Sequence, residues 1–460
     1  GPVETEGLAE ALRLAGAVIK KAAEKELAQF YPPDPDGARP IAYLWARTVR
    51  CESPNCGAEI PLIRSFWLSK KVNRRRALRP KVIREAAKTP YVVFELYTPE
   101  SESDVHGSTV KRANATCLCC NTTLPANRVR VQLSDQAGGA DTILDKNGNR
   151  VGGSLLLAVV TLHNGSGNAG RQYRLPTDAD YRSVQFSQQS LAQIDNLFLP
   201  NSLSPVPNEP TPEGGGAGAG RAFSIKKYGM KTFGDMFTSR QKLALISLAR
   251  LSSKFSNSEF ISLLALIHSK QAEIMSANCP WEPVAECPRK TFNMQALPMR
   301  WEFAESVAIS ESSGGYETTY QNMVSTLESI GSNWATGDLQ IADACNHPLP
   351  NDSSSVWFTD PPYYDAIPYS ELSDFFFVWL KRSYSDSPLL RDPFDTSNSL
   401  TPKSREAIQD ETKFFEGKPK DRYFFEMAMA KAFSEGRRVN NENGIGCVVF
   451  AHKTTEGWAS

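Results

Sequence analysis

The chain is poor in histidine, with five in 460 residues, so no large histidine cluster can carry its chemistry. It has no surplus of either charge: 51 Lys and Arg stand against 51 Asp and Glu. That balance excludes a histone-like polycation, although a neutral whole can still present a local basic face. Long apolar runs are also missing. The longest, Leu155–Val160 and Phe375–Leu380, fall far short of the roughly 20 residues that a membrane helix needs. No charged-then-apolar leader opens the N-terminus, no initiator Met is present, and no internal repeat is visible. These absences predict a soluble, cytoplasmic chain without a membrane partner, processed or cut from a longer one. Apolar residues at 41% and charged residues at 22% are close to globular averages. At roughly 150 residues per domain, the length suggests about three domains.

Leu8, Leu12, Ala15, Ile19, Ala23, Leu27 and Phe30 recur at helical spacing. Residues 1–40 therefore read as an amphipathic helix stopped by Pro32 and Pro33. Residues 41–133 read as strands, at Ile41–Val49, Ile60–Leu68, Tyr91–Leu96 and Val129–Leu133. Residues 134–204 form a β-rich extension, where turns at Asp145–Gly148 and Val151–Gly153 bound a strand over Leu155–Leu162. Residues 205–220, rich in Pro and Gly, read as a linker. Its run Gly214–Gly220 follows Asn-Glu-Pro-Thr-Pro-Glu, not the buried strand that a nucleotide-binding glycine loop requires. Residues 221–335 are helical, over Thr238–Ile274 and Gly315–Ile330. Residues 336–460 alternate. Strands are expected at Leu339–Ile341, Val356–Thr359 and Gly446–Ala451, helices at Tyr369–Lys381 and Tyr423–Val439, and a turn at Asn440–Gly444. Such alternation predicts a parallel α/β sheet.

Three motifs carry chemistry. Cys51-x4-Cys56 and Cys117-x2-Cys120 form two short knuckles, and four thiolates suit a closed tetrahedral Zn²⁺ site. Pro54 and Asn55 favour the first turn, and Asn121 follows the second. Four unrelated buried thiols are the plainer reading, and two disulfides do not suit a cytosolic chain. Cys119 is expected to point away, and Cys279 and Cys287 to be ordinary core or surface thiols. Between the knuckles, residues 61–90 hold Arg64, Lys70, Lys71, Arg74, Arg75, Arg76, Arg79, Lys81, Arg84 and Lys88 against one acid, Glu85. Phe66 and Trp67 precede this run. Lys70, Lys71, Arg74, Arg75, Arg76, Arg79 and Lys81 are thus candidate contacts to DNA phosphates; the alternative is a strand edge protected by charge.

The third motif is Asp360-Pro361-Pro362-Tyr363, directly after the apolar Val356-Trp-Phe-Thr359. This segment resembles the catalytic motif of amino-methylating DNA methyltransferases, whose target, an exocyclic base amine, is a poor nucleophile because its lone pair is delocalised into the ring. The Asp360 carboxylate and the Pro361 carbonyl can accept its two N–H bonds and draw that lone pair out of conjugation. The prolines fix φ and offer no competing N–H. Tyr363 supplies a face for an extruded base, and the carboxyl end of a strand is where ligands bind in open α/β sheets. Such methyltransferases carry an acid near this place that contacts the cofactor's adenosyl group, so by resemblance Asp343, shortly upstream, is a candidate cofactor contact; a helix cap is the equal alternative.

The Asp-Pro-Pro-Tyr segment resembles the catalytic motif of amino-methylating, S-adenosyl-L-methionine (AdoMet)-dependent DNA methyltransferases. With Tyr43-Leu-Trp-Ala-Arg-Thr-Val49, Pro61-Leu-Ile-Arg-Ser-Phe-Trp67, Tyr228-Gly-Met-Lys-Thr-Phe-Gly-Asp235, Gln295-Ala-Leu-Pro-Met299 and Phe450-Ala-His-Lys-Thr-Thr455, nearly the whole chain is similar to prokaryotic adenine-specific DNA methylases that contain a zinc ribbon. The resemblance implies an α/β fold: part of a Rossmann-like methyltransferase sheet with an inserted zinc-ribbon β region and a helical segment. It implies methylation of adenine N6, with AdoMet and Zn²⁺ as cofactors. DNA is the implied partner, with room for other subunits of a restriction or defence system. Asp360, Pro361, Pro362 and Tyr363 are the implied catalytic residues. The family's Asp-Pro-Phe-x-Gly-x-Gly type segment is not found before Tyr43, so the chain reads as an internal fragment that alone binds AdoMet weakly or not at all. N4-cytosine methylation and a non-catalytic zinc-dependent nucleic-acid-binding module are the alternatives.

Overall fold

The computed structural model describes the chain apart from residues 1–4, 164–169, 197–202, 216–217, 256–257, 331–334, 336, 341, 385–389 and 451–460. It is a mixed α/β protein in two units. The first comprises residues 1–211, 224–332 and 376–385, the second 212–223, 333–375 and 386–460.

The first unit is built on an antiparallel sheet. Strands β1 (Arg39–Arg50), β10 (Arg150–Leu162), β11 (Arg171–Arg174) and β14 (Glu302–Ser306) run in the order β11-β10-β1-β14, while β2 (Glu59–Pro61) pairs with β1 and β9 (Thr142–Leu144) with β10. Strand β1 is buried from Pro40 to Val49, so both of its faces are covered. Alternate residues point to opposite faces. Ala42, Leu44 and Ala46 join Ile63, Phe66, Leu68 and Leu78 in one core. Tyr43 and Trp45 face the other way, towards a polar knot. There Arg240 stacks 3.9 Å from the Tyr43 ring centre and pairs with Glu305 at 2.7 Å. Trp45 Nε1–H also donates to Glu305 (2.7 Å). Removing either member of so buried a pair strands the other charge, at a cost of about 3–5 kcal/mol.

Among the described residues, six helices lie wholly within this unit: α1 (Thr5–Leu27), α2 (Ala126–Ser134), α3 (Asp178–Asn196), α4 (Ser239–Ser252), α5 (Ser258–Ile274) and α6 (Tyr316–Ser329). The expected stripe of α1 is buried at Leu12, Ala15, Ile19, Ala23 and Leu27, with Leu8 half-buried and Ala9 buried beside it, and one 3₁₀ turn ends it before Pro32. Gly16 lets α6 approach, since a Cβ there would sit 2.6 Å from the Tyr320 ring. Three small sheets complete the unit: β3 (Trp67–Ser69), β4 (Arg76–Ile83) and β5 (Tyr91–Tyr97); β6 (Val110–Lys111), β7 (Asn114–Thr116) and β8 (Thr123–Leu124); and β12 (Trp281–Glu282) with β13 (Cys287–Pro288).

In the second unit, β15 (Ser354–Thr359) pairs in parallel with β18 (Asn440–Val448), and β16 (Asp410–Phe415) forms a hairpin with β17 (Lys418–Lys420). Helix α8 (Arg422–Val439) precedes β18. Helix α7 (Tyr369–Ser383) contributes its first half to this unit and its second half to the first.

Several expectations need correction. Val129–Leu133 is helical, within α2; only Val129 and Leu133, four apart, are buried there, while Val131 is exposed. Ile60–Leu68 is broken into β2 and β3. Val151–Gly153 lies inside β10, where a register shift and φ of +71° at Gly153 absorb the irregularity. Asn440–Gly444 belongs to β18. Leu339 and Gln340 are outside any strand, and Ile341 and Ala451 lie outside the described residues. The helices expected at Thr238–Ile274, Gly315–Ile330, Tyr369–Lys381 and Tyr423–Val439 are present, the first divided into α4 and α5. No described helix is long and apolar enough to cross a membrane.

Candidate metal centre, basic arm and Asp-Pro-Pro-Tyr loop

The two knuckles close on each other. In the first, Cys51 N–H donates to the Ala58 carbonyl (2.8 Å) and Cys56 N–H to that of Ser53 (3.0 Å); Gly57 turns the chain at φ +63°. In the second, Cys117 N–H donates to Thr122 (3.0 Å) and Asn121 N–H to Cys117 (2.8 Å), with Asn121 left-handed at φ +59°. Asn tolerates that conformation better than other side chains do. The sulfurs of Cys51, Cys56, Cys117 and Cys120 all lie within 4.8 Å of one another. Cys51 and Cys120 are 3.5 Å apart, Cys56 and Cys117 3.7 Å. A tetrahedron with metal–sulfur bonds of ~2.3 Å has sulfurs about 3.8 Å apart. The cluster can therefore hold one metal ion.

Without a metal, Cys51, Cys56 and Cys120 differ in how readily they ionise. Burial pushes the Cys51 thiol up to about 12 and raises Cys56 as well. Cys120, hydrogen-bonded by Thr122, is held down to about 6. A dication among the sulfurs would reverse the preference of the buried pair, because thiolate is the ligand form. Cys119 is buried but is not among the four. Cys279 is buried, with its sulfur beside Ser276 and Thr291, and Cys287 is half-buried in β13.

The candidate contacts lie on the turn between β3 and β4 (Lys70, Lys71, Arg74, Arg75) and on β4 (Arg76, Arg79, Lys81). They are less free than the sequence suggests. Lys71 and Arg74 both reach the buried Glu286, at 3.1 and 2.7 Å. Burial pushes the Glu286 carboxyl up, but its contacts with Lys71, Ser69 and Tyr173 outweigh this and hold it below the usual range. Lys70 pairs with Glu102 (2.8 Å) and Lys81 with Glu95 (3.5 Å). Arg75 donates to the Glu100 carbonyl and Arg76 to Thr98 Oγ1. Arg79 stacks 4.0 Å from the Tyr97 ring centre. The acids Glu286, Glu102 and Glu95 went unseen because they come from outside the run. The exposed pairs Lys70–Glu102 and Lys81–Glu95 are worth about 0–1 kcal/mol, so a phosphate can displace them; the pairs with the buried Glu286 are not of that kind.

In the second unit, Asp360 directly follows β15 and is exposed, Pro361 is buried, and Pro362 and Tyr363 are half-buried. Val449 N–H donates to the Thr359 carbonyl (2.8 Å), continuing the parallel pairing up to the loop. Tyr363 Oη–H donates to Asp360 Oδ1 at 2.6 Å, which raises the Tyr363 pKa. Its ring meets Phe450 edge-on at 5.5 Å. Tyr364, which the sequence did not single out, is left-handed (φ +46°) and packs 4.3 Å from Phe425 of α8. Beside Asp360 there is thus an aromatic cluster of Tyr363, Tyr364, Phe425 and Phe450. Asp343 lies on a loop outside any strand, accepting Cys345 N–H (2.9 Å) and pairing with Arg405 (3.1 Å). Among the described residues no hydrogen bond or ion pair joins it to the Asp360 loop.

No family model matches the chain, and no curated protein or solved structure does.

Proposed function

We propose that the protein is an AdoMet-dependent DNA methyltransferase acting on the N6 amine of adenine, within a Rossmann-like sheet of which β15 and β18 form part. The observation that carries this reading is the position of Asp360-Pro361. An exposed carboxylate and a proline carbonyl stand at the carboxyl end of a strand that has a parallel neighbour, where ligands collect in open α/β sheets. Asp360 and the Pro361 carbonyl accept the two amine N–H bonds and hold the nitrogen lone pair out of the ring. Tyr363 stacks on the extruded base, and its hydroxyl holds Asp360 Oδ1, leaving Oδ2 to face the amine. AdoMet, when bound, supplies the electrophilic methyl group; Asp343 is the residue assigned to it, and Arg405 is its present partner. The four cysteines hold Zn²⁺, and the arm of β3 and β4 holds DNA through its phosphates.

The experiment is methyl transfer to adenine in DNA by wild type and Asp360→Ala. Loss of an electrostatic contact to the reacting group lowers the rate by about 10²–10³-fold. Equal rates would remove Asp360 from the chemistry. A binding module without catalysis is the second reading, favoured by the fact that the cysteine cluster and the arm are complete without the Asp360 loop. DNA binding that depends on metal, with no transfer in either variant, would select it.

A further inference from the structure

The first unit contains a cleft of about 930 Å³ that the methyltransferase reading leaves unused. The last turns of α1, the turn after it, the start of β1, the end of β10 and the loop after β14 enclose it. The volume is that of a small-molecule site. Its floor is apolar, made by Pro40, Ile41, Leu162, Val307 and the buried Tyr31, while Lys21, Lys25 and Arg39 stand around it.

Lys21 and Lys25 on α1, and Arg39 at the start of β1, differ from the other cations of α1. Arg13 is paired with Glu10 and Glu328. Lys20 is paired with Glu24, Glu311 and Glu317. Both carboxylates on the cleft wall, Glu24 and Glu311, are thus already engaged by Lys20, and His163 is shared with Asp36. Among the described residues, Lys21, Lys25 and Arg39 have no acid within ion-pair distance. Lys20 is shared by three carboxylates, so on the wall three cations stand against two acids, and the excess at the mouth is one positive charge.

We infer that this cleft binds a phosphate-bearing nucleotide, free or at the end of a strand, with its phosphates against Lys21, Lys25 and Arg39 and its base on the apolar floor. A phosphate group offers several acceptor oxygens and up to two charges, which takes more than one cation to satisfy; Lys serves as a point charge and Arg as a fork. A flat base accounts for the apolar floor, which a bare anion would leave wet. The site involves neither Asp360 nor the cysteines, so the inference stands or falls apart from the methylation reading.

Calorimetry on the full chain tests it, with ATP, AMP, adenosine, inorganic phosphate, AdoMet and a short oligonucleotide with and without a 5′-phosphate as probes. ATP or the phosphorylated end should bind. AMP should bind more weakly than ATP, adenosine and phosphate alone at least tenfold more weakly than ATP, and added salt should weaken every phosphate-dependent signal. Whichever of ATP and the phosphorylated end binds tighter names the source. The double variant Lys21→Glu, Arg39→Glu should lose at least tenfold in affinity with an unchanged melting temperature, because both side chains are exposed and without ion-pair partners. No binding of any phosphate-bearing probe at millimolar concentration would overturn the inference. So would equal affinity in the double variant, or AdoMet and adenosine binding as tightly as ATP.

Discussion

Replacing Cys117 by Ser should cost the protein its metal and the order of the region around it. Cys117 is fully buried, and its sulfur lies 3.7 Å from that of Cys56. A serine oxygen is a poor substitute for the fourth thiolate of a zinc site. The strands the metal would hold together, β6, β7 and β8, are only two or three residues long and bury little without it. Metal at 100 times its dissociation constant stabilises a fold by ~2.7 kcal/mol. At about 2–4 °C per kcal/mol for a domain of 150–250 residues, chelation should lower the melting temperature by roughly 5–10 °C. Elemental analysis should find about one Zn²⁺ per wild-type chain and none in Cys117→Ser, whose residues 51–134 should become sensitive to protease. Cys119→Ser is the control. It is equally buried but lies outside the four-sulfur set, and it should keep the metal. Wild-type protein without zinc when prepared without chelators, or Cys117→Ser with a full complement, would refute the reasoning.

Arg75, Arg76 and Arg79 have no acidic partner in the described arm; replacing all three by Ala should flatten the salt dependence of DNA binding by a slope of up to about 2.7, whereas an unchanged slope would make the run a charged strand edge. Arg74→Ala, by contrast, should mainly cost stability, read as melting temperature, because it removes a partner of the buried Glu286. Tyr363→Phe should retain most methyl transfer, since the ring face survives, while Tyr363→Ala should lose stacking worth roughly 1–3 kcal/mol; equal activity of the two would exclude stacking. His268 is buried with neither ring nitrogen partnered, and burial holds it down to about 4 from 6.5. The fold must keep it neutral, so its contribution is full above pH 6.5 and is lost as pH falls towards 4, by up to about 3 kcal/mol. His268→Phe should flatten the stability profile between pH 6.5 and 4, which urea titrations at each pH would report.

Periodicity made α1, α4, α6, α7 and α8 legible, because each buries one stripe against a core, but not α3, which lies in the segment 134–204 read as β-rich. It misled at Val129–Leu133, where Val-Arg-Val-Gln-Leu fits both the alternation of a strand and an i, i+4 pair; Pro125 at the N-cap was the signal that favoured helix. The hairpin of β16 and β17 was also missed, although its turn residues Glu416 and Gly417 are both left-handed, at φ +50° and +77°, a conformation that a Gly in a short connection announces. The cysteine set could be read because short spacing fixes each knuckle locally. The neutralisation of the basic run could not. Glu286 meets Lys71 and Arg74 only through the tertiary fold, which no local pattern encodes. Tyr364 and Phe425 lie far apart in sequence and meet only when α8 packs beside the loop.

The most direct test of the account is transfer of labelled methyl from AdoMet to DNA by the protein expressed with whatever its reading frame places upstream of Gly1. After digestion to nucleosides, the account predicts label in N6-methyladenine, reduced at least a hundredfold in Asp360→Ala. Label confined to cytosine would contradict the assignment to adenine. Label in neither base, or equal label from Asp360→Ala and wild type, would contradict the account as a whole.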